Sequence, residues 1–187
     1  MKYLRDAWLV LVLAVVFGGA LAGVQATLSG QIDANKAADA ESQVPLLVAG
    51  SARSELAPMG DRTVYQATDG QGRVVGWVVR GVGMGFADKV ELLVGVNADA
   101  TRITGLYVLD QKETPGLGNK VIQDGWRKQF AGLDAAVPVT VTKAAPAKGN
   151  QVIAVTGATI SSQSVSDIVN TNVQWLRGQL AQRPVKG

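Results

Sequence analysis

Residues 7–27 are uncharged, with Trp8-Leu-Val-Leu-Val-Leu-Ala-Val-Val-Phe17 in the first half and no charge between Asp6 and Asp33. A helix of about 20 residues crosses the apolar core of a bilayer, so the stretch is long enough to span one. It also lacks the polar face that a helix lying on a soluble core carries. A retained transmembrane anchor over residues 1–30 is the expectation, because the apolar run is longer than the usual signal-peptide core of about 7–15 residues. A cleavable signal peptide is the alternative, with small residues at Ala20, Ala22 and Ala26 as cleavage positions. Lys2 and Arg5 stay on the cytoplasmic side in either case and the rest of the chain is exported.

The pattern then becomes mixed. Ala34, Ala37, Ala38 and Ala40 alternate with charged and amide residues, which predicts a short helix within a connector over residues 31–58. Residues 63–68 and 73–80 are β-rich runs separated by Asp69-Gly-Gln-Gly72, a hairpin signature. Residues 89–97 and 102–109 form a second such pair around Ala98-Asp-Ala100. The period changes again after Gly118-Asn119, where Val121, Ile122, Trp126 and Phe130 recur at helical spacing and Gly132 supplies a stop.

Residues 138–142 and 151–155 are expected as strands, joined by a Pro/Gly/Lys loop at 144–150. A last helix opens near Ser161, with Val165, Ile168, Val169, Val173 and Leu176 as its apolar stripe, Ser161 or Ser162 as N-cap and Gly178 as its end. The fold class is therefore α+β: a twisted antiparallel sheet with packed helices, preceded by one N-terminal transmembrane helix. One domain is expected over residues 59–180, with a frayed tail at 181–187.

Composition narrows the chemistry. The chain has no cysteine and no histidine, which excludes protein-held iron–sulfur clusters, thiol redox pairs, Ser–His or Cys–His nucleophiles and zinc sites built on those ligands. No metal site and no catalytic residue of the chain's own is expected, and redox chemistry would need an organic cofactor. Lys and Arg number 18 against 15 Asp and Glu, a scattered excess of +3 that does not form a nucleic-acid-binding stripe.

Gly81-Val-Gly83-Met-Gly85-Phe86 approaches a dinucleotide fingerprint but fails it, because Phe86 occupies the third glycine position and the segment joins two strands. A tight turn or a close backbone approach is the expected role of these glycines. Two other segments carry more information: Lys112-Glu-Thr-Pro-Gly-Leu-Gly118, and Val155-Thr-Gly-Ala-Thr-Ile-Ser-Ser162. Each lies where a strand or loop gives way to a helix, so free amides and the positive end of a helix dipole are available to a phosphate. Gly157 and Ala158 keep the backbone uncrowded, and Thr156, Thr159, Ser161 and Ser162 offer hydroxyls. Ordinary N-cap chemistry is the alternative reading of the second segment.

Glu113-Thr-Pro-Gly-Leu-Gly118 followed by Thr156-Gly-Ala-Thr159 resembles the FMN-binding domain of bacterial electron-transfer complexes. The resemblance covers roughly residues 60–178, and the single preceding span is similar to that of the G subunits of Rnf complexes; the related C subunits of sodium-pumping NADH:quinone oxidoreductases share both motifs. It implies covalent FMN, esterified through its phosphate to Thr159, with Glu113, Thr114, Leu117, Gly118, Thr156, Gly157, Ala158, Ser161 and Ser162 as cofactor neighbours.

The bond would be made by a dedicated flavin transferase. The family usually has an acidic residue three positions before the Ser/Thr of the attachment motif, where this chain has Ile153. The implied role is an electron-relay subunit of a bacterial inner-membrane, ion-translocating oxidoreductase of the ferredoxin:NAD class. Its FMN domain would lie on the periplasmic side, beside other membrane subunits that include a flavin-bearing one. The alternatives are an exported scaffold without flavin and an FMN domain of another exported reductase.

Overall fold

The computed structural model describes residues 7–145 and 147–182. Lys2, Arg5, Pro146 and residues 183–187 lie outside the described residues, and with them the charges flanking the apolar stretch and most of the expected tail. The chain divides into two compact units, Met1–Asp39 and Ala40–Gly187.

In the first unit, the uncharged stretch is helical and belongs to α1 (Trp8–Leu47). It is long and apolar enough to cross a membrane, and the side chains of its most apolar window are uncovered. Trp8, Phe17 and Leu21 are all more than half exposed. The small-residue content of the segment does not interrupt the helix.

The second unit is built on a five-stranded antiparallel meander in sequential order: β1 (Arg53–Met59), β2 (Arg62–Thr68), β3 (Val74–Met84), β4 (Lys89–Asn97) and β5 (Ile103–Gln111). The expected Asp69–Gly72 turn joins β2 to β3. Asp69 Oδ1 accepts hydrogen bonds from the backbone of Gln71 and Arg73, and Gly72 has φ +79°. Bulges at Ala67/Thr68, Glu91/Leu92 and Gly95/Val96 add twist to the sheet.

Both faces of the sheet are covered, which explains the near-continuous apolar runs of β3 and β4. Val64, Trp77, Val79, Leu92, Val94 and Val96 face the main core under α2 (Asp124–Arg127) and α3 (Thr159–Ala181). Tyr65, Ala67, Val78 and Leu93 face the other way, against Ala40, Val44, Leu47 and Val48. The end of α1 is thus a core element of the second unit. The connector region also holds β1, a strand where a helical segment was expected.

Three local expectations are corrected. Val121, Trp126 and Phe130 are buried as their spacing required, but the backbone that carries them is a 3-10 turn (Gly118–Ile122), α2 and a second 3-10 turn (Lys128–Phe130) instead of one helix. Gln123 breaks it with an extended conformation, φ −69° and ψ 133°. Ile122 points outward.

The strands expected at 138–142 and 151–155 shorten to β6 (Thr140–Thr142) and β7 (Gln151–Ile153), a parallel pair detached from the main sheet. α3 begins at Thr159, before either serine, and passes through Gly178 to Ala181. Neither Ser161 nor Ser162 is its N-cap, since both side chains are used inward.

The glycines of β3 serve a close helix approach. A Cβ on Gly81 would overlap Asn172 Nδ2, and one on Gly83 would lie 2.5 Å from Ile168 Cγ1. α3 can therefore lie tightly across β3.

Candidate flavin site

The two small-residue segments come together at the head of α3. The Glu113–Gly118 loop turns at Gly116, φ +77°, and Asn119 Oδ1 accepts from the Gly116 amide at 2.8 Å. The Thr156–Thr159 loop turns at Gly157, φ +80°. A Cβ on Gly157 would lie 3.1 Å from Leu117 Cδ2, so the loops touch where a larger residue would press them apart.

Between the loops lies a cavity of about 600 Å³, lined by Thr114, Leu117, Gly118, Thr156, Gly157, Ala158, Thr159 and Ser161 of the expected residues. That volume is ordinary for a cofactor-sized ligand, within the range of about 300–1,000 Å³. Glu113 and Ser162 are not on its wall. Ser162 Oγ accepts from the Val155 amide at 3.0 Å and donates to the Ala158 carbonyl at 2.9 Å, closing the loop beneath Thr159.

Glu113 is 4% exposed, buried behind the residues that line the cavity. Oε1 accepts from the Phe86 and Ala87 amides at 2.8 and 3.1 Å, and Oε2 accepts from Ser161 Oγ at 2.5 Å. Three donors satisfy a buried charge that would otherwise be costly. The carboxylate fills the space left by Gly85 and Gly118: a Cβ on Gly118 would lie 2.6 Å from Oε2, and one on Gly85 would overlap Oε1.

Phe86, Lys143, Ile153 and Ala154 lie outside the two segments that the sequence assigned to this site, and they line the cavity together with Val155 and Ile160 of the second segment. Lys143 is the one charged residue among the lining residues and has no acidic partner among the described ones. Ile153 is fixed by its backbone. Its carbonyl accepts from Trp126 Nε1 at 2.8 Å, and its amide donates to Gln129 Oε1 at 2.7 Å. The broken helix of residues 118–130 thereby locks the strand that leads into the Thr156–Thr159 loop.

The arrangement suits a phosphate-bearing aromatic ligand. The first backbone bond of α3 is from the Ser162 amide to the Ala158 carbonyl, 3.0 Å, and no side chain caps the helix. The amides of Thr159, Ile160 and Ser161 precede that bond and are available to an anion, at the positive end of a 23-residue helix dipole. Phe86, Leu117 and Ile160 are apolar and between 46% and 62% exposed, so an apolar rim adjoins the anion-binding head. Among the described residues no group of acidic side chains has the geometry to hold a metal.

A second cavity, of about 550 Å³, is lined by β3 and by Ser164, Asp167, Ile168, Thr171 and Asn172 of α3. Its arginines are already engaged. Arg62 donates to Asn172 Oδ1 at 2.7 Å and stacks on Trp175, and Arg80 pairs with Glu91.

Among known proteins, the FMN-binding domain matches residues 85–174, which run from the Phe86 turn through both loops into α3. The G subunit of the ion-translocating oxidoreductase complex of Methanosarcina acetivorans is 38% identical over 115 residues, covering 62% of this chain and 58% of the relative. The G subunit of the Na(+)-translocating ferredoxin:NAD(+) oxidoreductase complex of Acetobacterium woodii is 40% identical over 105 residues, 55% of this chain and 50% of the relative.

The chain thus spans about half to three fifths of the length of these curated relatives. The crystal structure of Shewanella oneidensis NqrC shares the fold, with a TM-score of 0.57 at 22% identity over 74% of this chain and 73% of that one. Residues 85–174 of the chain are thus similar to the FMN-binding domain family.

Proposed function

We propose that the chain is the membrane-anchored electron-relay subunit of an ion-translocating oxidoreductase of the Rnf type, and that it holds FMN as a phosphoester on Thr159. The observation that carries this reading is the position of Thr159. It is the first residue of α3, on the cavity wall, beside amides that have no backbone partner among the described residues. A phosphate esterified there would receive those amides and the helix dipole.

The residues of the chain fit each part of the cofactor. Thr156 and Gly157 leave the approach to Thr159 open, since both are exposed. The rim of Phe86, Leu117 and Ile160 gives an apolar surface for a flat ring. Lys143 adds a positive charge to the wall. When bound, FMN supplies the capacity to accept and release electrons; the protein orients it and sets its surroundings. A tether keeps the cofactor at high effective concentration beside its redox partners on the outer side of a membrane. The chain contains no histidine to activate the Thr159 hydroxyl, and the resemblance to the FMN-binding family supports a separate flavin transferase as the source of the ester.

α1 supports the anchor, and Lys2 and Arg5 ahead of it support a domain outside the cytoplasm. No charge occurs from Ala7 to Ile32, so ion movement belongs to partner membrane subunits. The relatives named as complex subunits support such partners.

Co-expression with a flavin transferase tests the reading. Intact mass should rise by one FMN, located in the peptide containing Thr156–Ser162, and a denaturing gel should show a fluorescent band that Thr159→Ala abolishes. A colourless protein, or an undiminished band in Thr159→Ala, overturns it.

A further inference from the structure

We propose that Phe86 is the aromatic wall against which the flavin ring lies, and that Glu113 is the positioning residue that holds it there. This inference rests on the flavin reading above and adds to it a ring contact outside both sequence motifs.

Phe86 is the one aromatic side chain among those lining the cavity, and it is 62% exposed. A single exposed phenylalanine needs no explanation on most surfaces. Here it lines the same cavity as the first residues of α3, in a turn whose backbone is tightly specified. The Gly85 amide donates to the Asp88 carbonyl at 2.8 Å, and the next two amides both donate to Glu113 Oε1.

Through Oε2 the same carboxylate reaches Ser161, two residues beyond Thr159 on α3. One buried side chain therefore ties the Phe86 turn, the Glu113–Gly118 loop and the attachment helix into a fixed arrangement. Gly85 and Gly118 keep this connection close, because a Cβ at either position would overlap the carboxylate.

The chemistry of the ligand selects Phe86 from the three exposed rim residues. An extended π-system gains more from an aromatic face than from the branched chains of Leu117 or Ile160, by a factor of about two- to tenfold in equilibrium terms. Glu113 does not make this contact, as it is not on the cavity wall and both oxygens of its carboxylate are engaged by protein donors. It acts through Phe86.

The test uses the flavin-loaded full chain and reads the flavin. Phe86→Trp places an electron-rich indole on the ring, so flavin fluorescence should be strongly quenched relative to wild type at equal flavin content. Phe86→Ala should expose the ring, raising the constant for quenching by iodide about two- to tenfold. Glu113→Ala should raise it likewise, and the double variant no further, whereas Glu113→Gln, which keeps the acceptor for both amides, should stay near wild type.

Unchanged fluorescence in Phe86→Trp together with unchanged iodide quenching in Phe86→Ala overturns the wall. Additive effects of Phe86→Ala and Glu113→Ala overturn the positioning role. If Glu113→Ala does not fold, Ser161→Ala removes one of its three contacts and takes its place. Absence of any flavin in the wild-type protein is a separate outcome, which overturns the attachment reading itself.

Discussion

Glu113 and Ser161, 48 positions apart in the chain, meet in a 2.5 Å hydrogen bond that joins the loop after β5 to the first turn of α3. The bond closes a network in which both oxygens of a buried carboxylate are used, and it fixes the two loops on either side of the cavity.

Removing that carboxylate leaves the Phe86 and Ala87 amides and the Ser161 hydroxyl without an acceptor. Glu113→Ala is expected to lose about 2–4 kcal/mol in urea unfolding, and Glu113→Gln less than about 1.5 kcal/mol, since a neutral amide still accepts from both backbone groups. Equal losses in the two variants would show that packing, and not the hydrogen bonds, dominates.

Close contact between α3 and β3 depends on the absence of side chains at Gly81 and Gly83. Gly83→Ala should cost about 1–3 kcal/mol, because the new methyl group would overlap the buried Ile168 side chain. Shortening the neighbour in Gly83→Ala/Ile168→Ala should recover part of that loss relative to the sum of the single variants, measured as a double-mutant cycle.

The end of α1 is predicted to be indispensable to the sheet. A chain starting at Asp33 keeps Ala40, Val44, Leu47 and Val48 and should fold as a soluble domain. A chain starting at Ser51 loses them, uncovering Tyr65, Val78 and Leu93. Each buried aliphatic side chain contributes about 1.5–3 kcal/mol, so the shorter domain should be unfolded or aggregated by circular dichroism and size exclusion.

Burial pushes the Tyr65 phenol above its ordinary value of 10.0, with Glu41 acting in the same direction and Arg80 against it. A raised folded-state value means that its contribution is complete below the unfolded value and is lost as pH rises through the folded one. Stability should therefore fall at alkaline pH, and Tyr65→Phe should flatten that decline. Parallel urea midpoints for the two proteins between about pH 9 and pH 12 would refute it.

Local chemistry was legible wherever short-range physics decides it. The Asp69–Gly72 turn, the antiparallel pairs, the apolar stripe of α3 and the two glycine loops follow from alternation, turn residues and helical spacing. The burial of Val121, Trp126 and Phe130 was legible too, but not the backbone that achieves it. That segment is broken at Gln123, in a region whose Trp126 and Gln129 side chains must reach the Ile153 backbone. The end of α3 was misplaced because Gly178 is tolerated inside a long helix.

Composition and local pattern were enough to establish an uncharged stretch fit to cross a membrane, an α+β domain, the exclusion of histidine and cysteine chemistry, and two loops suited to a phosphate. The parts played by Glu113 and Phe86 emerge from packing alone. Glu113 belongs to the motif but turns its charge inward to three donors, and Phe86, which fails a glycine fingerprint in sequence, lines the cavity. Contacts between residues 27 and 48 positions apart are set by how the sheet and α3 pack, and no local pattern encodes them.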